Sequence, residues 1–176
     1  SFADLVVSYM PGSDVGGTYM GPAEALGMPD YNDSVQEGAV SLGKGGSLTV
    51  AFTDNSLTTS GDSAGDLWVF EIGSAVESFQ VEISTNNVNW IDLGFVLGQP
   101  TGIDIDAIAG VNVGELYSYV RLTDTPGNQS GFPYGEADID AIGAISSGHA
   151  VPLPAPTGFA LFGLGLILLA VSRRRG

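Results

Sequence analysis

From residue 5 to residue 145 the chain alternates apolar and polar side chains in short runs, broken at close intervals by Gly, Asp, Asn and Ser. Successive side chains of a strand point to opposite faces, so a period of two marks a half-buried strand. No stretch holds the helical period long enough to compete with it. The clearest run is Ser78–Ser84, where Phe79, Val81 and Ile83 face one way and Gln80 and Glu82 the other. Asn86 and Asn87 follow, a pair suited to the positive φ angles of a tight hairpin turn. The chain then returns through Trp90, Ile91, Leu93 and Phe95. Further strands are expected at residues 5–9, 47–53, 67–72, 102–106, 118–123 and 137–145. About eight strands of this kind predict an all-β domain over residues 1–145, an antiparallel jelly roll or β-sandwich. Residues 10–46 and 54–66 read as long loops rich in Gly, Asp and Ser, the kind of segment that binds ligands or ions.

The end of the chain changes character. Val151, Pro152, Leu153, Pro154 and Ala155 lead into an uncharged apolar run over residues 157–172, closed by Arg173, Arg174 and Arg175. A helix rises about 1.5 Å per residue and needs about 17–25 residues to span a bilayer, so this run with its hinge is expected to form one transmembrane helix. Phe159, Leu161, Phe162, Leu164, Leu166, Ile167, Leu168 and Leu169 would lie among the lipid tails. The three arginines would hold residues 173–176 at the cytoplasmic headgroups, which puts the β domain on the exported side. Gly148 and three prolines make residues 146–156 a short, stiff stalk that keeps the domain near the lipid.

Charge follows the same division. All 20 acidic residues occur by Asp140, with only Lys44 and Arg121 beside them, so the body carries 2 − 20 = −18 and the tail +3, the stated −15. Nucleic acid is excluded as a partner, because phosphate backbones are bound by clustered Lys and Arg. An acidic surface suits calcium, cationic partners or solubility alone. There is no cysteine, hence no disulfide and no thiolate chemistry. Because the sequence opens on Ser1, an export signal is expected to have been removed ahead of it.

Two stretches resemble known families. The Val151–Pro152–Leu153–Pro154–Ala155 motif, followed by an apolar segment and an arginine cluster, resembles the PEP-CTERM sorting signal in its Val-Pro-Leu-Pro-Ala form. That resemblance implies a bacterial protein of Gram-negative type, located in the periplasm or at the cell surface. It also implies a tail processed by an exosortase and delivery to the surface or the exopolysaccharide matrix. The body is similar to the extracytoplasmic domain often found before such tails, and more distantly to discoidin-like jelly rolls. The segments that carry the likeness are residues 25–30, 40–52, 67–71, 81–90, 119–124 and 137–141. Discoidin-like domains imply a binding module for carbohydrate, lipid or protein, often with a structural calcium ion.

Calcium takes six to eight oxygen ligands, commonly Asp and Asn side chains and loop carbonyls. The available groups are Asp30 with Asn32 and Asp33, Asp62 with Asp66, and Asp124 with Glu136, Asp138 and Asp140. None has the twelve-residue spacing of an EF-hand. For a discoidin-like fold the preferred arrangement is an ion joining the loop near Asp30 to Asp138 and Asp140, with Asp124 as a further candidate ligand. The competing reading is a solvated acidic face. Catalysis is not expected: His149, the only histidine, falls in the stalk, and carboxylate pairs arise by chance among 20 acidic residues. Trp68, Phe70, Phe79 and Trp90 read as core. Tyr9, Tyr19, Tyr31, Phe132 and Tyr134 lie in or beside loops as candidates for stacking on a sugar ring or filling a partner's surface, and Tyr31 and Tyr134, flanked by Pro, Gly or Asp, are the preferred pair.

Taken together, these features predict a non-catalytic, membrane-anchored scaffold. Its partners would be the lipid bilayer and a neighbouring membrane-protein complex, such as a respiratory or photosynthetic one. The alternative is a sorted surface protein that binds carbohydrate or exopolysaccharide.

Overall fold

A computed structural model describes residues 1–125 and 131–154 and resolves the alternation into two antiparallel sheets around one core. The strands are β1 (Leu5–Met10), β2 (Val40–Ser41), β3 (Ser47–Ala51), β4 (Asn55–Leu57), β5 (Leu67–Ile72), β6 (Ser78–Ser84), β7 (Ile91–Leu97), β8 (Thr101–Ile103), β9 (Tyr119–Asp124), β10 (Asp138–Ala144) and β11 (Ser147–His149). One sheet runs β1-β3-β9-β6-β7, the other β2-β10-β5-β8, and β11 pairs with β4 apart from both. Every pairing is antiparallel.

Parity on β6 is as the sequence predicts. Phe79, Val81 and Ile83 are fully buried, and across the core lie Leu67 and Val69 of β5 with Ile139 and Ile142 of β10. Burial of each such side chain contributes about 1.5–3 kcal/mol, which is what holds the two sheets face to face.

Several expectations are corrected. Among the described residues eleven strands replace the expected eight, because β2, β4 and β11 are too short to show a period. The segments read as loops are fastened down: residues 17–19 and 22–25 form 3-10 turns, and Ser13 and Val15 make single bridges to Lys44 and Tyr134. The β6–β7 turn is a longer loop over residues 85–90. Only Asn87 takes a positive φ there, and Asn86 Oδ1 accepts the N–H groups of Val88 and Asn89. The stalk starts later than expected, since Ser147–His149 is hydrogen-bonded to β4. Trp68, Phe70 and Trp90 are half-buried on outer faces, leaving Phe79 as the one aromatic of that set in the core. On β5 the inward positions are Leu67, Val69 and Glu71. A carboxylate thus occupies a core-facing position at the end of the sandwich.

The apolar run, the three arginines and Ala155 lie outside the described residues. Val151–Pro154 is extended, and no helix among the described residues is long and apolar enough to cross a membrane.

Candidate functional site

Beside Glu71 the sandwich opens into a cavity of about 790 Å³. Its walls come from the early loop (Tyr19, Tyr31, Asp33, Gln36), the end of β5 with the turn after it (Phe70 to Ala75, and Glu77), Gln99 and Pro100, Tyr134, and β10 (Asp138, Asp140). Backbone pairing sets this meeting of distant segments. Val15 bridges Tyr134, and Gly16 N–H donates to the Pro133 carbonyl at 2.7 Å, which fixes the early loop against residues 133–134. Gly135 turns the chain at φ 51°, where an added Cβ would lie 2.8 Å from the Asp14 carbonyl, so glycine alone fits the bend after Tyr134.

The rim is aromatic. Tyr19 is buried and meets Tyr134 edge-on, with ring centroids 5.6 Å apart. Tyr134 is 43% exposed, and Tyr31 is half-buried. Gln36 Nε2 donates to Tyr134 Oη at 3.5 Å, tying the two sides of the mouth.

The floor is acidic and buried. Glu71, Glu77, Asp138 and Asp140 are all buried. Neither oxygen of Glu71, nor Asp138 Oδ1, receives a hydrogen bond among the described residues. Burial pushes the Glu71 carboxyl up to about 8, and the neighbouring Glu77 and Asp138 add to the rise; the Gln99 amide and the Glu77 backbone oppose it. Burial likewise raises Asp138 to about 7, against the Ser41 hydroxyl and with Glu77. Asp140 is raised by burial, against backbone N–H groups of Asp30 and Tyr31. Burial first, then the Asp138 charge, takes the Tyr9 hydroxyl to about 12. Charge is costly here because the carboxyl groups are buried and no Lys or Arg lines the walls.

Six residues singled out in the sequence as candidate ligands or stacking rings therefore share one cavity: Tyr19, Tyr31, Asp33, Tyr134, Asp138 and Asp140. The β10 register shifts between Ile139 and Ala141, so Asp140 has no partner on β5 and reaches the early loop. There its Oδ1 accepts the Asp30 N–H at 3.0 Å, and loop and strand meet by a direct hydrogen bond. The Asp30 residue is exposed and outside the lining. Asp124 lies elsewhere, accepting the Gly45 N–H at 2.9 Å. Among the described residues, the three carboxylates with oxygens mutually within 4.8 Å are Asp66, Asp104 and Asp106. Sequence reasoning missed Glu71, Glu77 and Gln99. For Glu71 the signal was present, a carboxylate closing the strand Leu67–Ile72, but either parity of that strand is apolar.

Chemically, the cavity offers ring faces and edges beside several oxygen acceptors. It suits a ligand with C–H patches and many hydroxyl or amino donors, and it repels anions. His149 is exposed on β11 and is not among the residues that line the cavity. No family model matches this chain, and no curated protein matches it.

Proposed function

We propose that the chain is a non-catalytic binding protein on the exported side of a bacterial membrane, held there by its C-terminal apolar segment. Its cavity takes a neutral or amino-bearing saccharide unit, as in an exopolysaccharide. The observation that carries this reading is the pairing of a tyrosine rim with a floor of buried carboxyl groups, of which Glu71 and Asp138 have oxygens without a hydrogen-bond donor among the described residues, and with no basic side chain in the lining. Sugar C–H faces pack on the rings, and sugar hydroxyls supply the donors that Glu71 and Asp138 lack. Anchoring rests on the apolar run, the arginine cluster and the sorting-signal resemblance. The test is a glycan array probed with the full chain in mild detergent, beside the Tyr31→Ala/Tyr134→Ala variant. Binding to neutral or amino sugars that the variant loses supports the reading. Binding confined to anionic glycans, or hydrolysis of the bound sugar, overturns it.

A second reading, an accessory subunit docked on a neighbouring membrane complex, is favoured by the edge strand β7. Phe95 and Leu97 are 71% and 62% exposed there, next to unpaired backbone. Co-purification of a membrane protein that Phe95→Asp/Leu97→Asp abolishes would support it. A chain that always purifies alone would end it.

A further inference from the structure

At another part of the four-stranded sheet, strand pairing assembles a second acidic group. Leu67 of β5 pairs with Ile103 of β8, so the residue before β5 lies beside the residues after β8. Asp66 N–H donates to the Ile103 carbonyl at 2.9 Å, and Ile105 N–H donates back to Asp66 Oδ2 at 3.0 Å. Asp104 and Asp106 follow, and one oxygen of each of the three carboxylates lies within 4.8 Å of the others.

Each carboxylate is oriented by one oxygen. Asp104 Oδ1 accepts the Asp106 N–H at 2.9 Å, while Asp106 Oδ2 accepts the Gly61 N–H at 2.9 Å and the Ser60 hydroxyl at 3.1 Å. The independent observation is Asp66 Oδ1. Asp66 is 1% exposed, and this oxygen has no hydrogen-bond donor among the described residues. A buried carboxylate oxygen with no donor, on a side chain grouped with two further carboxylates, lacks a counter-charge. Neither described basic side chain supplies one: Lys44 pairs with Asp14 and Glu136, and Arg121 with Glu82.

We propose that Asp66, Asp104 and Asp106 form a calcium site that fastens the β5–β8 end of the sheet to the root of the stalk. An all-oxygen donor set selects a hard cation. Ca–O distances of about 2.3–2.6 Å let ligands on opposite sides of the ion stand up to about 5 Å apart, whereas Mg²⁺ at about 2.0–2.1 Å needs a tighter octahedron. Loop carbonyls and water complete the shell. The link to the stalk is the Asp66 carbonyl, which accepts the Ile145 N–H at 2.7 Å and the Ser146 N–H at 3.3 Å, just before β11.

Calcium titration of the EDTA-stripped full chain in mild detergent tests the site, read by calorimetry and by terbium luminescence. Trp68 suits the optical readout, because its indole donates to the Gly65 carbonyl and its ring lies against Gly102, flanking the site on both strands. The wild type binds one calcium with Kd at or below about 1 mM, the range of extracellular modules. Asp104→Asn and Asp106→Asn, each at a partly exposed position, weaken binding at least ten-fold singly and abolish it together. Trp68→Phe cuts the terbium signal without changing calcium affinity. Glu71→Gln/Asp138→Asn, in the cavity, leaves calcium binding intact. Hydrogen exchange at Ile145 and Ser146 slows when calcium is added. No binding at about 1 mM, binding that survives the double variant, or Mg²⁺ bound as tightly as Ca²⁺ would each overturn the assignment.

Discussion

On the outer face of the five-stranded sheet, Glu82 is held by Arg121 through two hydrogen bonds, of 2.6 and 2.7 Å, and the guanidinium carbon lies 4.2 Å from the centre of the Trp90 ring. In the cavity, no Lys or Arg among the described residues lines the walls around Glu71 and Asp138, and burial pushes both carboxyls towards the protonated form. Both regions contain acidic side chains on neighbouring strands, yet one is complete in itself and the other is not. A surface whose charges are already matched contributes to the fold. A pocket with unmatched acceptors is where the proposed ligand would supply the missing donors.

If stability belongs to the sheets and binding to the cavity, the two should separate on mutation. The largest expected effect is Phe79→Ala, which empties a fully buried position between the sheets and should cost about 3–5 kcal/mol in urea denaturation. Ligand affinity, measured below the unfolding midpoint, should hold.

Next comes the pH dependence. Glu71 and Asp138 have raised folded-state values, about 8 and about 7, against ordinary values of 4.5 and 3.8. As pH climbs above the ordinary values, the unfolded chain loses these protons while the folded domain keeps them. Their contribution to stability is therefore fully present below about pH 4 and lost as pH rises to about 8. Tm should fall across that interval. Glu71→Gln/Asp138→Asn should flatten the decline and gain about 1–3 kcal/mol at the alkaline end. An unchanged slope in the variant would place the unmatched charge elsewhere.

A smaller effect is expected for Arg121→Met, about 1 kcal/mol and reduced by salt, because its ion pair is partly exposed. The smallest is Tyr134→Ala, below about 1 kcal/mol in stability, since the ring stands at the cavity mouth, 43% exposed, and loses little beyond its edge contact with Tyr19. Its ligand affinity should nonetheless fall at least ten-fold, the reverse of the Phe79 result.

Much of the sandwich was legible because alternation is local. β5 and β6 have the bounds that their sequences suggest, and the buried face of β6 follows from counting by two. β2, β4 and β11 were not legible, since two or three residues carry no period and exist only through their partners. The cavity was half legible. Tyr31 and Tyr134 stood out by their turn-forming neighbours, and Asp138 and Asp140 by their spacing. Glu71 did not, because in the run Leu-Trp-Val-Phe-Glu-Ile both parities are apolar and only the opposing sheet decides which one is inside. The Asp66–Asp104–Asp106 group depends on the β5–β8 register, which no local pattern encodes.

The most direct measurement is a map of amide chemical shifts in the full chain in micelles, as a saccharide identified on the array is added. The account predicts shifts that cluster at Tyr31 to Gln36, Gly73 to Glu77, Gln99 and Tyr134, and that vanish in Tyr31→Ala/Tyr134→Ala. Shifts confined to Phe95 and Leu97 on β7, with the cavity silent, would contradict it.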